Sequence, residues 1–237
     1  MSDENRRVRV WDPFVRTAHW VLAAAFFAAY AIEDAWMSAH AWLGYLAGAI
    51  VIVRALWGLV GPRHARFADF LHPPRVVLGY LADLAAFRAR RYLGHSPAGG
   101  AMAVALWLGV AASVASGIVA YAYQGKGPLA PYFGPAAQVA SAQVSPAQVS
   151  ASPALVSPAY ANDDEGKRAK GKTPKSRAAK AWEEIHEAFA TLTLWLVVVH
   201  IGGVLWASLV HRENLTRGMI DGFKWIDQGP EAPRASP

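Results

Sequence analysis

Histidine is the residue type through which this chain could do metal or redox chemistry. Its 237 residues include eight His and no Cys, so disulfides, zinc-thiolate sites, thiolate-ligated iron–sulfur clusters and Cys nucleophiles are all excluded. Four of the His fall in long apolar stretches: His19, His40, His186 and His200. Polar groups at membrane depth are expensive and usually functional. His186 and His200 are fourteen residues apart on one expected helix, about 21 Å of rise and within roughly 40° of the same face. That helix therefore offers imidazoles at two depths, where His40 can meet His186 and His19 can meet His200. Two His from different helices at each level, with no Asp or Glu converging beside them, suit axial ligation of a haem iron better than zinc or di-iron. Small residues fit the same reading, because a flat macrocycle needs gaps beside its ligands. Gly44 stands one turn after His40, Ala23 one turn after His19, Ala190 one turn after His186, and Gly202 and Gly203 follow His200. Arg54, fourteen residues after His40 on the same face, or Arg16 could pair with a haem propionate.

A bilayer core of ~30 Å requires about 20 helical residues. Four stretches meet that length: Thr17 to Trp36, His40 to Val60, Ala101 to Tyr123 and Ile185 to Val210. Their Leu, Ala and Val follow no strict alternation, so α-helix is indicated rather than barrel strand. A lone intramembrane His is often only a helix–helix hydrogen bond, worth about 0.6 kcal/mol, but four at matched levels form a pattern. His211 is the rival ligand on the fourth helix. It lies about 37 Å from His186, beyond the hydrocarbon core, and so belongs at the interface. His64, His72 and His95 read as surface or headgroup residues, and Trp36, Trp42, Tyr121 and Tyr123 as interfacial anchors.

Charge is scarce and unevenly placed. Only Glu33, Asp34, Arg54 and Glu187 of the chain's 23 basic and 17 acidic residues fall in the four stretches. The segment 61–100 carries Arg63, Arg66, Arg75, Arg88, Arg90 and Arg91 against two acids, so it is expected in the cytoplasm with both termini. Within it, Pro73 to Arg90 can form an amphipathic helix on the membrane surface, with Val77, Leu78, Leu81 and Leu84 on one side. The Arg16-Thr17-Ala18-His19-Trp20 cluster argues against reading the first stretch as a signal peptide. The fold class expected is all-α, an integral membrane four-helix bundle. Residues 1–134 hold helices 1–3, 135–181 form a long low-complexity and basic external loop without core-forming periodicity, 182–224 hold helix 4 and its cytoplasmic end, and 225–237 are a tail. Much of the formal charge of +6 sits in that loop, and no nucleic-acid partner is expected.

Several motifs in register resemble a known family. They are Val10-Trp11-Asp12-Pro13, then Arg16-x-x-His19-Trp20, His40-x-x-x-Gly44-Tyr45, Trp57-Gly58-x-x-Gly61-Pro62-Arg63-His64, Tyr92-Leu93-Gly94-His95-x-Pro97, His186-Glu187, His200-x-x-Gly203 and His211-Arg212-Glu213-Asn214-Leu215. Together they resemble the bacterial cytochrome b561 and nickel-iron hydrogenase b-type cytochrome family. The resemblance implies a multi-pass protein of the bacterial inner membrane with two haem b groups between helices 1, 2 and 4, and His19, His40, His186 and His200 stand at its ligand positions. It further implies electron transfer between the quinone pool and a partner such as a c-type cytochrome, a hydrogenase or another oxidoreductase. Quinone would sit near Arg16, Arg54 and His211. The long loop between helices 3 and 4 departs from the family pattern. Two alternatives stay open at this point: a superoxide oxidase that reduces quinone, and a haem-free membrane anchor subunit. Four spans without an inverted repeat make a transporter the weaker reading.

Overall fold

The computed structural model describes residues 6–32, 36–137 and 176–226. It is mainly helical, and four helices are long and apolar enough to cross a membrane: α1 (Pro13–Ala31), α2 (Met37–Val60), α5 (Pro97–Tyr123) and α7 (Arg177–His211). Shorter helices are α3 (Phe67–Phe70), α4 (Pro74–Ala85), α6 (Ala130–Phe133) and α8 (Leu215–Asp221), and two strands, β1 (Arg6–Arg9) and β2 (Phe223–Ile226), form an antiparallel pair. The chain divides into two compact units, Met1–Ala115 with His186–Pro237, and Ser116–Ile185.

Helix starts follow polar caps that an apolar-run reading overlooks. Asp12 is extended, its carboxylate accepts from Val15 N at 3.0 Å, and Pro13 takes the first helical position. Ser96 does the same for α5, accepting from Gly99 N at 3.1 Å, and Ser176 for α7, accepting from Ala179 N at 3.2 Å. The helices therefore begin at Pro13, Pro97 and Arg177 rather than at Thr17, Ala101 and Ile185. The low-complexity loop expected over 135–181 falls largely on 138–175, outside the described residues.

In the larger unit the core is small and apolar: Ala47 and Val51 of α2 pack with Val110 of α5, flanked by Leu22, Trp107, Ala111 and Val114. Trp107 Nε1 donates to Val51 O at 3.1 Å. Large apolar side chains such as Ile52, Leu56, Leu59, Trp195 and Leu209 point outward. That is the arrangement expected of helices whose solvent is lipid.

One end of this unit carries a polar cap. β1 pairs with β2 from Arg6↔Ile226 to Arg9↔Phe223, two residues into the stretch read as a tail. Val10 N and Trp11 N donate to Gly222 O at 2.9 and 3.2 Å. Gly222 ends α8 in the left-handed region at φ 86°, and a Cβ there would meet Arg16. Lys224 is buried, yet its ammonium donates to Tyr92 O at 3.1 Å beside Glu213, which also accepts from Arg91 at 3.0 Å. Burial pushes the Lys224 pKa below its usual value, opposed by the Glu213 carboxylate. α4 ends earlier than Arg90, at Ala85, because Phe87 turns left-handed at φ 58°. Arg88 N and Phe87 N then bond to Asp83 O and Leu84 O at 2.8 and 3.2 Å, the six-to-one and five-to-two closure of a helix C-terminus. Leu84 of α4 is buried while Leu78 and Leu81 are exposed.

In the smaller unit, α5 ends in a turn at Gly125, at φ 76°, and Tyr123 packs against Phe133 of α6 with ring centroids 5.8 Å apart. Gln124 donates to Glu183 at 3.4 Å.

Candidate functional site

The four intramembrane histidines form two facing pairs within the larger unit. His40 of α2 and His186 of α7 have ring centroids 6.0 Å apart with planes at 89°. His19 of α1 and His200 of α7 are 6.5 Å apart with planes at 60°. Imidazoles on opposite sides of one metal, each at a metal–nitrogen distance of about 2 Å, bring their ring centres roughly 6 Å apart. Among the described residues no group of three or more His, Asp or Glu gathers as a metal cluster. Each pair therefore offers two imidazoles with no third His, Asp or Glu beside them among the described residues.

The pair remote from the cap is held from behind. His40 Nδ1 is 3.0 Å from Ala29 O, and His186 Nδ1 is 2.8 Å from Ser113 O. A carbonyl only accepts, so each Nδ1 carries a hydrogen and each Nε2 presents a lone pair. Ala29 lies in the last turn of α1, where carbonyls have no partner within the helix, so His40 uses an acceptor that the helix end leaves free.

The pair nearer the cap differs. His19 Nδ1 is buried without a hydrogen-bond partner among the described residues, as are Arg16 Nε and Arg54 Nη1. Arg54 lies over the Phe67 ring at 5.5 Å from its centroid, and Arg16 packs under Gly222. Buried donors without acceptors are costly unless a further group completes them. A Cβ added at Gly202 or Gly203, just after His200, would meet nothing within 4 Å, and neither would one at Gly44, one turn after His40. Two buried guanidinium donors, one open imidazole and glycine-lined gaps fit a flat, anionic macrocycle bound edge-on to the arginines.

His211 does not join either pair; its Nε2 is hydrogen-bonded to Tyr80 OH at 3.1 Å. His64 bonds to Asp69 at 3.0 Å and His72 Nδ1 to Phe70 O at 3.0 Å. His95 is not a surface residue. It packs against Phe70 and Trp11 with centroids 4.5 and 4.6 Å away, and its Nδ1 is buried without a partner. Burial first, then the nearby Arg54 and Lys224, lower its pKa to about 4, while Asp69 opposes and His64 adds slightly. The flat aromatic neighbours that bury it, Phe70 and Trp11, come from distant parts of the sequence, which is why the basic loop disguised it. The carbonyls of Ala29 and Ser113 were likewise invisible in the sequence, since every residue type offers one.

The chain matches the family described as prokaryotic cytochrome b561 over residues 10–222. No curated protein and no solved structure matches it.

Proposed function

The chain belongs to the prokaryotic cytochrome b561 family, and on that premise we propose that it is a dihaem membrane cytochrome b carrying electrons across the bacterial inner membrane between the quinone pool and a redox partner. The family binds haem b and works in electron transfer. The observation that carries it is the double histidine pairing, His40 with His186 and His19 with His200, at centroid separations of 6.0 and 6.5 Å.

Haem bound at the two levels would supply one-electron iron chemistry. The chain's own residues do the rest. His40 and His186 present Nε2 because Ala29 O and Ser113 O hold their Nδ1 hydrogens. Arg16 and Arg54 offer buried cations to carboxylates at the inner level. Gly44 and Gly203 leave room for the ring face, and the apolar helix surfaces exclude water, which keeps the sites in a low dielectric. Both termini lie on the cytoplasmic side. The β1–β2 pairing supports this by joining them at one end, and the arginines between α2 and α5 support it by the positive-inside rule. Lipid, quinone and a redox protein such as a c-type cytochrome or hydrogenase are the partners.

Purified protein should show the spectrum of six-coordinate b haem, reduced by dithionite, at two haems per chain. His200→Ala should leave one. A colourless, folded preparation would overturn the proposal, as would His200→Ala retaining two.

A further inference from the structure

α5 supplies no histidine to either pair, yet it touches the outer pair through its backbone. Ser113 O on α5 accepts from His186 Nδ1 at 2.8 Å. Seven residues further along α7, two turns and nearly the same face, stands Thr193, which is fully buried. Its hydroxyl donates to Phe189 O at 2.7 Å. Ser113 Oγ donates to Gly109 O at 2.9 Å, and either hydroxyl can donate across the 3.3 Å contact with Thr193. Gly109 makes the approach possible, because a Cβ there would sit 2.8 Å from Thr193 Oγ1 and 3.5 Å from Leu196 Cδ1. Small and hydroxyl side chains that let helix backbones come together are how packing is specified where lipid removes the hydrophobic drive.

These contacts lock α7 against α5 in depth and rotation one turn from the carbonyl that holds the His186 ring. Resting on the reading that His186 ligates the outer haem, we propose that Gly109, Ser113 and Thr193 are positioning residues that fix the imidazole plane of His186 and the basicity of its Nε2, and thereby tune the outer haem alone. The physical route is the outer-shell hydrogen bond. A carbonyl accepting from a ligand's distal nitrogen orients the ring and strengthens it as a donor, and such bonds are among the levers that set a haem's potential. A small local displacement of α7 at Thr193 changes the length of the Ser113–His186 bond.

The test uses the full-length protein in detergent, with low-temperature paramagnetic resonance of the oxidised haems and a redox titration. His186→Ala assigns the outer signal as the one it removes. Gly109→Ala should move the outer signal and raise the outer midpoint potential, leaving the inner haem unchanged. Thr193→Val should move the outer signal in the same direction by less, and Thr193→Ser, which keeps the hydroxyl, should return it to the wild-type position. The proposal is overturned if Gly109→Ala and Thr193→Val, each with two haems bound, leave the outer signal where it was, or shift both haems equally. It is overturned also if Thr193→Ser behaves like Thr193→Val, since the hydroxyl then does nothing. Wild-type protein without two haems would remove the underlying reading, and that result is distinct because it appears before any variant is made.

Discussion

The two histidine levels of the larger unit are built by opposite means. At the outer level both rings are held by backbone carbonyls, those of Ala29 and Ser113, and no cation stands unpaired beside them among the described residues. At the inner level His19 Nδ1, Arg16 Nε and Arg54 Nη1 are buried without a hydrogen-bond partner among the described residues. The His40–His186 pair is held by carbonyls of its neighbouring helices; the His19–His200 pair stands beside buried nitrogens without an acceptor among the described residues. Hydrogen-bonded imidazole is a stronger donor and favours oxidised iron, whereas nearby guanidinium charge favours the reduced state. For haems bound as proposed, both differences act in one direction, toward a lower potential at the His40–His186 level and a higher one at the His19–His200 level.

Acid should separate the levels most. His95 sits in the cap with a folded-state pKa of about 4, below the usual 6.5, through burial and then Arg54 and Lys224. A lowered histidine pKa means the undocked chain binds the proton first, so the docked cap is fully stable above pH 6.5 and loses stability as pH falls toward 4. The loss reaches about 3 kcal/mol when the shift is converted directly. Between pH 6 and 4 the inner haem spectrum should therefore change or bleach while the outer persists, and His95→Gln should flatten that dependence. Simultaneous loss of both haems would erase the contrast drawn here.

The gap in potential comes next. A redox titration should give two waves, separated by about 1–2 kcal/mol per electron if the two effects add, and His186→Ala should remove the lower one. Removal of the higher wave instead would reverse the assignment of which construction does what. Arg54→Gln gives the smallest effect. It should lower the inner wave by about 1 kcal/mol per electron at an effective dielectric near 20 and leave the outer wave in place, narrowing the gap. An unchanged inner potential would mean that Arg54 serves only its stacking on Phe67.

The motifs that resemble the family were legible, but their structural meaning was not. Val10-Trp11-Asp12-Pro13 proves to join the cap to the start of α1. Val10 and Trp11 donate to Gly222 O, and Asp12 both caps α1 and accepts from Trp57 Nε1 at 3.4 Å. A reading by apolar runs started the helices several residues late because Asp12, Ser96 and Ser176 are polar, and polarity at a helix start is a capping signal rather than a boundary of the bilayer. The short strands escaped notice because Arg6–Arg9 and Phe223–Ile226 show no alternation long enough to mark them. Each is only four residues, stabilised by a partner more than two hundred positions away. Thr193 and Ser113 did carry a signal, as hydroxyls in otherwise apolar stretches, but nothing in the sequence said that they face each other.

By itself, then, the sequence determined the number of helices long and apolar enough to cross a membrane and where His19, His40, His186 and His200 stand along them, because length, hydropathy and helical periodicity are local properties set by neighbouring residues. Only the tertiary structure decided which groups stand behind those rings. The carbonyls of Ala29 and Ser113, the close approach at Gly109 and the burial of His95 depend on how helices rotate and how deep they sit. Backbone acceptors carry no residue identity, so that part of the design becomes visible only when the helices are packed.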